Sequence, residues 1–119
     1  MLLYSTFCFE ASHSLSTPVG LSALHGHSYW ARVWVYSDPS AVTPLPGLEA
    51  EALRMKSLLD HQHLNTLLPG EPTMEALVQF ILGQWQGPPL KRVRVWRESL
   101  GCGAEWSTHH GETGDAEGP

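Results

Sequence analysis

A chain of 119 residues, 42% of them hydrophobic and 16% charged, can bury one modest core and is too short for two. Its net charge of -5, from 7 Lys and Arg against 12 Asp and Glu, argues against nucleic acid as the partner, because a phosphate backbone needs a basic footprint. No run approaches the roughly 18 to 20 apolar residues of a membrane span, and Glu10 and His13 interrupt the N-terminus too early for a signal peptide, so a cytoplasmic protein is expected.

In chain order, residues 1 to 13 predict a strand whose inward parity is Leu3, Ser5, Phe7, Phe9, Ala11 and His13. Turn formers from Ser14 to Ser22 predict a loop, and a second strand follows over 24 to 36. The single glycine between His25 and His27 puts both imidazoles on one face of that strand, with Tyr29, Ala31, Val33 and Val35. If the two strands pair antiparallel, His13 comes beside His25 and His27. Three neutral imidazoles with a free fourth position describe a catalytic zinc site. The same spacing is also compatible with ordinary strand histidines.

Asp38-Pro39-Ser40 ends the second strand, and a Pro-rich connection leads into a helix over 48 to 59. Leu48, Ala52, Met55 and Leu59 form its buried stripe, with Glu49, Glu51, Arg54 and Lys56 left for water. The segment Leu59-Asp60-His61-Gln62-His63-Leu64-Asn65 follows. Asp60 can orient His61 and raise its basicity as an acid-base pair, or it can simply close the helix. A second helix starts at Thr73, its N-cap, with Glu75 in the first turn and Met74, Leu77, Val78, Ile81 and Trp85 inward.

A third strand spans 90 to 98, alternating Val93 and Val95 with Arg92, Arg94 and Trp96, and a short fourth strand spans 104 to 107. The run Lys91, Arg92, Arg94 and Arg97 reads as a solvated strand face, or as a phosphate-binding surface if an oligomer turns it toward a site. Glu98 can accept from a ligand with adjacent N–H donors. Cys8 and Cys102 show no metal or disulfide spacing and read as free thiols. Residues 109 to 119 lack apolar content and predict a disordered tail, with His109 and His110 in it. The expected fold class is α+β: an antiparallel four-stranded sheet in ββααββ order, both helices on one face. Trp30, Trp34 and Trp96 are left on the uncovered face, which association into an oligomer would cover.

Together, Phe9-Glu10-Ala11-Ser12-His13, Leu24-His25-Gly26-His27-Ser28-Tyr29, Leu59 to Asn65, Pro72-Thr73-Met74-Glu75 and Arg97-Glu98 resemble the 6-pyruvoyl-tetrahydropterin synthase and 6-carboxy-tetrahydropterin synthase family, in order and over nearly the whole chain to Trp106. The resemblance implies a single pterin synthase-like domain over 1–108 with the tunnelling fold, whose subunits form trimeric barrels stacked as a hexamer, a dimer of trimers. It implies zinc as cofactor on His13, His25 and His27, Glu98 anchoring the pterin with Thr73 and Glu75 near it, and Asp60 and His61 in acid-base catalysis. The implied substrate is 7,8-dihydroneopterin triphosphate, converted by a lyase; the bacterial branch makes 6-carboxy-tetrahydropterin for queuosine. One departure touches the mechanism. The family's usual catalytic cysteine lies four residues before the first histidine of His-Gly-His, and here that position is Leu21. A non-catalytic, zinc-bearing pterin-binding or oligomeric paralogue is therefore the alternative expectation. Met74 and Pro44-Leu45 also differ from the usual pattern.

Overall fold

The computed structural model describes residues 1–108; the expected tail and its His109 and His110 lie outside the described residues. Its backbone is a long antiparallel hairpin extended on one side by a second hairpin, with the helices on one face. Strand β1 (Leu2–His13) pairs with β4 (His25–Tyr36) over an unbroken register from Leu2 opposite Tyr36 to His13 opposite His25. Between them, β2 (Ser16–Thr17) and β3 (Gly20–Leu21) form a small ribbon where a plain loop was expected. Gly20, at φ 117°, takes the backbone angle this turn requires. On the far side, β4 pairs with β6 (Leu90–Arg97), and β6 with β7 (Cys102–Ser107).

The expected ββααββ order is present, with helices α1 (Leu45–Leu59) and α3 (Met74–Gln84). Two short elements lie between them: β5 (Gln62–His63), parallel to β1 at Ala11 and Ser12, and α2 (Leu64–Leu67). Among the described residues the sheet thus has five strands rather than four, in the order β5-β1-β4-β6-β7. A two-residue strand carries no periodicity, so sequence pattern could not show it.

Helix α1 starts at Leu45, three residues before its apolar stripe, because Pro46 sits in the first turn, where no backbone donor is needed. Its Glu51, expected in water, is buried: both carboxylate oxygens accept from Arg54, and one also takes the Gln86 backbone N–H at 2.6 Å. That ties α1 to the end of α3. Helix α3 begins at its N-cap Thr73, whose hydroxyl accepts from the Ala76 N–H at 3.1 Å.

Sheet parity builds the core. Phe7, Phe9 and Ala11 of β1, Tyr29, Ala31, Val33 and Val35 of β4, and Val93 and Val95 of β6 meet Leu48, Ala52, Met55 and Leu59 of α1 and Leu77, Val78 and Ile81 of α3. Phe9 and Tyr29 stack at 5.2 Å, just inside the end of the sheet where the histidines stand. The other face carries aromatic and arginine side chains. Trp30 stacks on Trp96 at 6.3 Å, and Trp34 is buried beneath Arg92, Arg32 and Arg94. No helix among the described residues is long and apolar enough to cross a membrane.

Candidate metal centre

The rung that closes the long ladder, His13 opposite His25, puts three imidazoles together, because His27 is two residues along β4 on the same face. Ring centroids lie 4.8 Å apart for His13 and His25, 4.8 Å for His13 and His27, and 4.6 Å for His25 and His27. One nitrogen from each falls within 4.8 Å of the others, a group that could hold a metal ion.

Hydrogen bonding selects which nitrogens are free. His13 Nδ1 lies 3.1 Å from the Pro72 carbonyl, and His25 Nδ1 lies 2.7 Å from the Ala23 carbonyl. A carbonyl only accepts, so each Nδ1 carries the proton and each Nε2 is left with a lone pair. This is how a metal-binding histidine is held in its ligating tautomer. The Nε2 atoms of His13 and His27 are buried and have no hydrogen-bond partner among the described residues. Buried polar atoms are normally paired, so two unpartnered ring nitrogens within one histidine cluster fit a cation.

Electrostatics agrees. Burial, followed by the charge of Arg97, lowers the His27 pKa to about 4. Burial is also the largest cause lowering His13, opposed by its bond to Pro72. Both rings are therefore neutral at physiological pH, the form that binds metal.

Asp60 and His61 are neighbours as expected: His61 Nδ1 is 3.2 Å from Asp60 Oδ2. Both are tied to β1, since Asp60 Oδ1 accepts the Glu10 N–H at 2.9 Å and the His61 N–H donates to the Glu10 carbonyl at 2.7 Å. That backbone donor is the main cause holding the Asp60 carboxyl below its ordinary range, so it is ionised. His61 takes a left-handed backbone angle, φ 60°, and its ring is largely exposed. It lines a groove of about 470 Å³ with Glu10, Ser12, Gly26, His27, Ser28 and His63. In this groove His63 Nδ1 lies 3.1 Å from the Ser12 hydroxyl, a contact sequence reasoning did not single out.

Glu98 is exposed and begins a single 3-10 turn, Glu98–Leu100, after β6 rather than ending the strand. A second groove joins Glu98 and Ser99 to Gly26, His27, Ser28 and Trp30, so His27 borders the His61 side and the Glu98 side alike. Thr73 reaches the site only through its neighbour, the Pro72 carbonyl on His13. Glu75 is exposed in the first turn of α3. Leu21 is 69% exposed in β3, and the adjacent Ser22 hydroxyl is occupied in accepting the Leu15 N–H at 2.9 Å. Cys8 is half-buried on the sheet face away from the core; Cys102 is exposed beside Arg94, Trp96 and Glu105.

Known proteins resemble this chain in sequence and in fold. The chain is 35% identical over 94 residues to the 6-carboxy-5,6,7,8-tetrahydropterin synthase of Synechocystis sp., covering 70% of this chain and 73% of that one. Its fold matches the structure of Caenorhabditis elegans 6-pyruvoyl tetrahydropterin synthase with a TM-score of 0.71, at 18% identity, over 92% of this chain and 96% of that one. The 6-pyruvoyl tetrahydropterin synthase family profile matches residues 2–109, and the chain belongs to that family.

Proposed function

We propose that this chain, as one pterin synthase-like domain over residues 1–108, is a zinc-dependent cytoplasmic lyase acting on 7,8-dihydroneopterin triphosphate or a related pterin. The observation that carries the proposal is the pair of buried, unpartnered Nε2 atoms on His13 and His27 beside His25, in a chain of this family. A zinc ion on these three nitrogens would supply Lewis acidity toward a side-chain oxygen of the pterin. The chain's own residues do the rest. Asp60, kept ionised by the Glu10 N–H, holds the Nδ1 proton of His61, which leaves His61 Nε2 to take or return a proton. Glu98, across the His27 border, accepts from the pterin ring N–H groups, with Thr73 and Glu75 at the nearby start of α3.

The sheet edges support a homo-oligomer, a trimeric barrel doubled into a hexamer. Among the described residues, the outer edge of β1 from Leu2 to Phe9 and that of β7 have no strand beside them.

Leu21 favours a second reading, a zinc-bearing pterin binder that no longer turns over. It has no exchangeable proton, and the Ser22 hydroxyl beside it is already engaged. One set of assays separates the readings. Metal analysis should find about one zinc per chain, lost in His25→Ala; absence of zinc sinks both. Mass detection of product from dihydroneopterin triphosphate then establishes the lyase. No turnover by the parent, with turnover by Leu21→Cys, establishes the lapsed catalyst.

A further inference from the structure

The arginines of the described chain differ in one respect. Arg32 Nε donates to the Thr6 hydroxyl, Arg54 Nε to Glu51, and Arg92 and Arg94 Nε to the two oxygens of Glu105. Arg97 Nε is buried with no partner, and Arg97 makes no salt bridge among the described residues. Nor does it lie on the solvated face with Arg92 and Arg94. Strand parity places it after Val93 and Val95 on the core face. The register sets Ala31 against Val95 and Trp30 against Trp96, so the next rung aims Arg97 at Tyr29, which lies two residues from His27 on the same face. Its charge is felt there, lowering the pKa of His27 and His13 after the larger effect of burial.

Neutral imidazoles, a phenol and a guanidinium gather here, and although Glu10 and Glu98 border the grooves beside His27, no carboxylate among the described residues pairs with the guanidinium. A metal ion on the histidines would add further positive charge beside it. A planar guanidinium with a buried free N–H is matched by a two-oxygen planar acceptor, which it can hold by parallel hydrogen bonds. We propose that Arg97 is the anion-reading residue of this site, and that it takes a carboxylate carried on the C6 side chain of a pterin bound beside the histidines. The inference rests on the pterin reading above. It makes a carboxylated pterin a better ligand than the bare ring, and gives the chain a means to discriminate by side-chain charge.

The test uses the zinc-loaded full chain and compares the affinity of pterin-6-carboxylate with that of unsubstituted pterin by titration calorimetry. The parent should prefer the carboxylate by at least about tenfold, as expected for a charge-assisted hydrogen bond. The preference should vanish in Arg97→Gln and shrink in Arg97→Lys, which keeps the charge but not the fork, with zinc content unchanged in both. Where Arg97→Gln does not fold, Arg97→Lys decides by the same ratio. Equal affinity of the two pterins for the parent, or an undiminished preference in the variants, overturns the role of Arg97 alone. Displacement of the carboxylate by equimolar inorganic phosphate overturns the choice of anion. Failure of both pterins to bind overturns the pterin reading and this inference with it.

Discussion

His13 and His27 hold the proton less readily in the folded chain than in the unfolded one, where the ordinary value is 6.5, and for both the leading cause is burial. The sign of the resulting pH dependence follows. Between about 6.5 and about 4 the unfolded chain binds more protons than the folded chain, so stability rises with pH across that window. The metal-free protein should lose stability as pH falls from 6.5 toward 4, seen as a falling thermal midpoint, and His27→Gln should flatten the loss. A midpoint that rises on acidification would contradict the assignment. The three histidines were legible because parity on a strand is a property of spacing alone. Their partners were not: nothing local in the sequence says that the carbonyls of Pro72 and Ala23 would reach the Nδ1 atoms. Arg97 was misread for a related reason. It follows Arg92 and Arg94 as one more basic residue, yet stands at odd spacing from them and so on the opposite face.

At the scale of elements, Thr73 is the clearest local determinant, since its hydroxyl satisfies a first-turn donor of α3. Thr73→Ala should cost about 1 kcal/mol, read as a lower denaturation midpoint at unchanged slope. An unaltered midpoint would mean that the cap contributes nothing here. Long periodic elements were readable, β1, β4 and the stripes of α1 and α3 among them. The β2/β3 ribbon was hidden because Ser16, Thr17 and Gly20 are turn formers that also suit a two-rung ribbon. The burial of Glu51 was hidden because the arrival of Arg54 and the Gln86 N–H is a tertiary event. The extra turn of α1 lay behind Pro46, which reads as a breaker unless it falls in the first turn.

At the scale of the whole molecule, the described residues leave two strand edges and an aromatic-arginine sheet face for something else to meet. Sedimentation of the purified chain should therefore give a trimer or its double, and a monomer at every concentration tested would refute the proposed assembly. The feature with the widest consequence is the twelve-rung ladder of β1 and β4, because its last rung is His13 against His25. An ion gripped there would act as a clasp on the end of the longest hairpin, holding the ribbon beyond it to the sheet. Binding at a hundred times its dissociation constant would stabilise the chain by about 2.7 kcal/mol. Fraying from that end would open the clasp before it disturbed Phe9 and Tyr29, so metal could escape while the core stays shut.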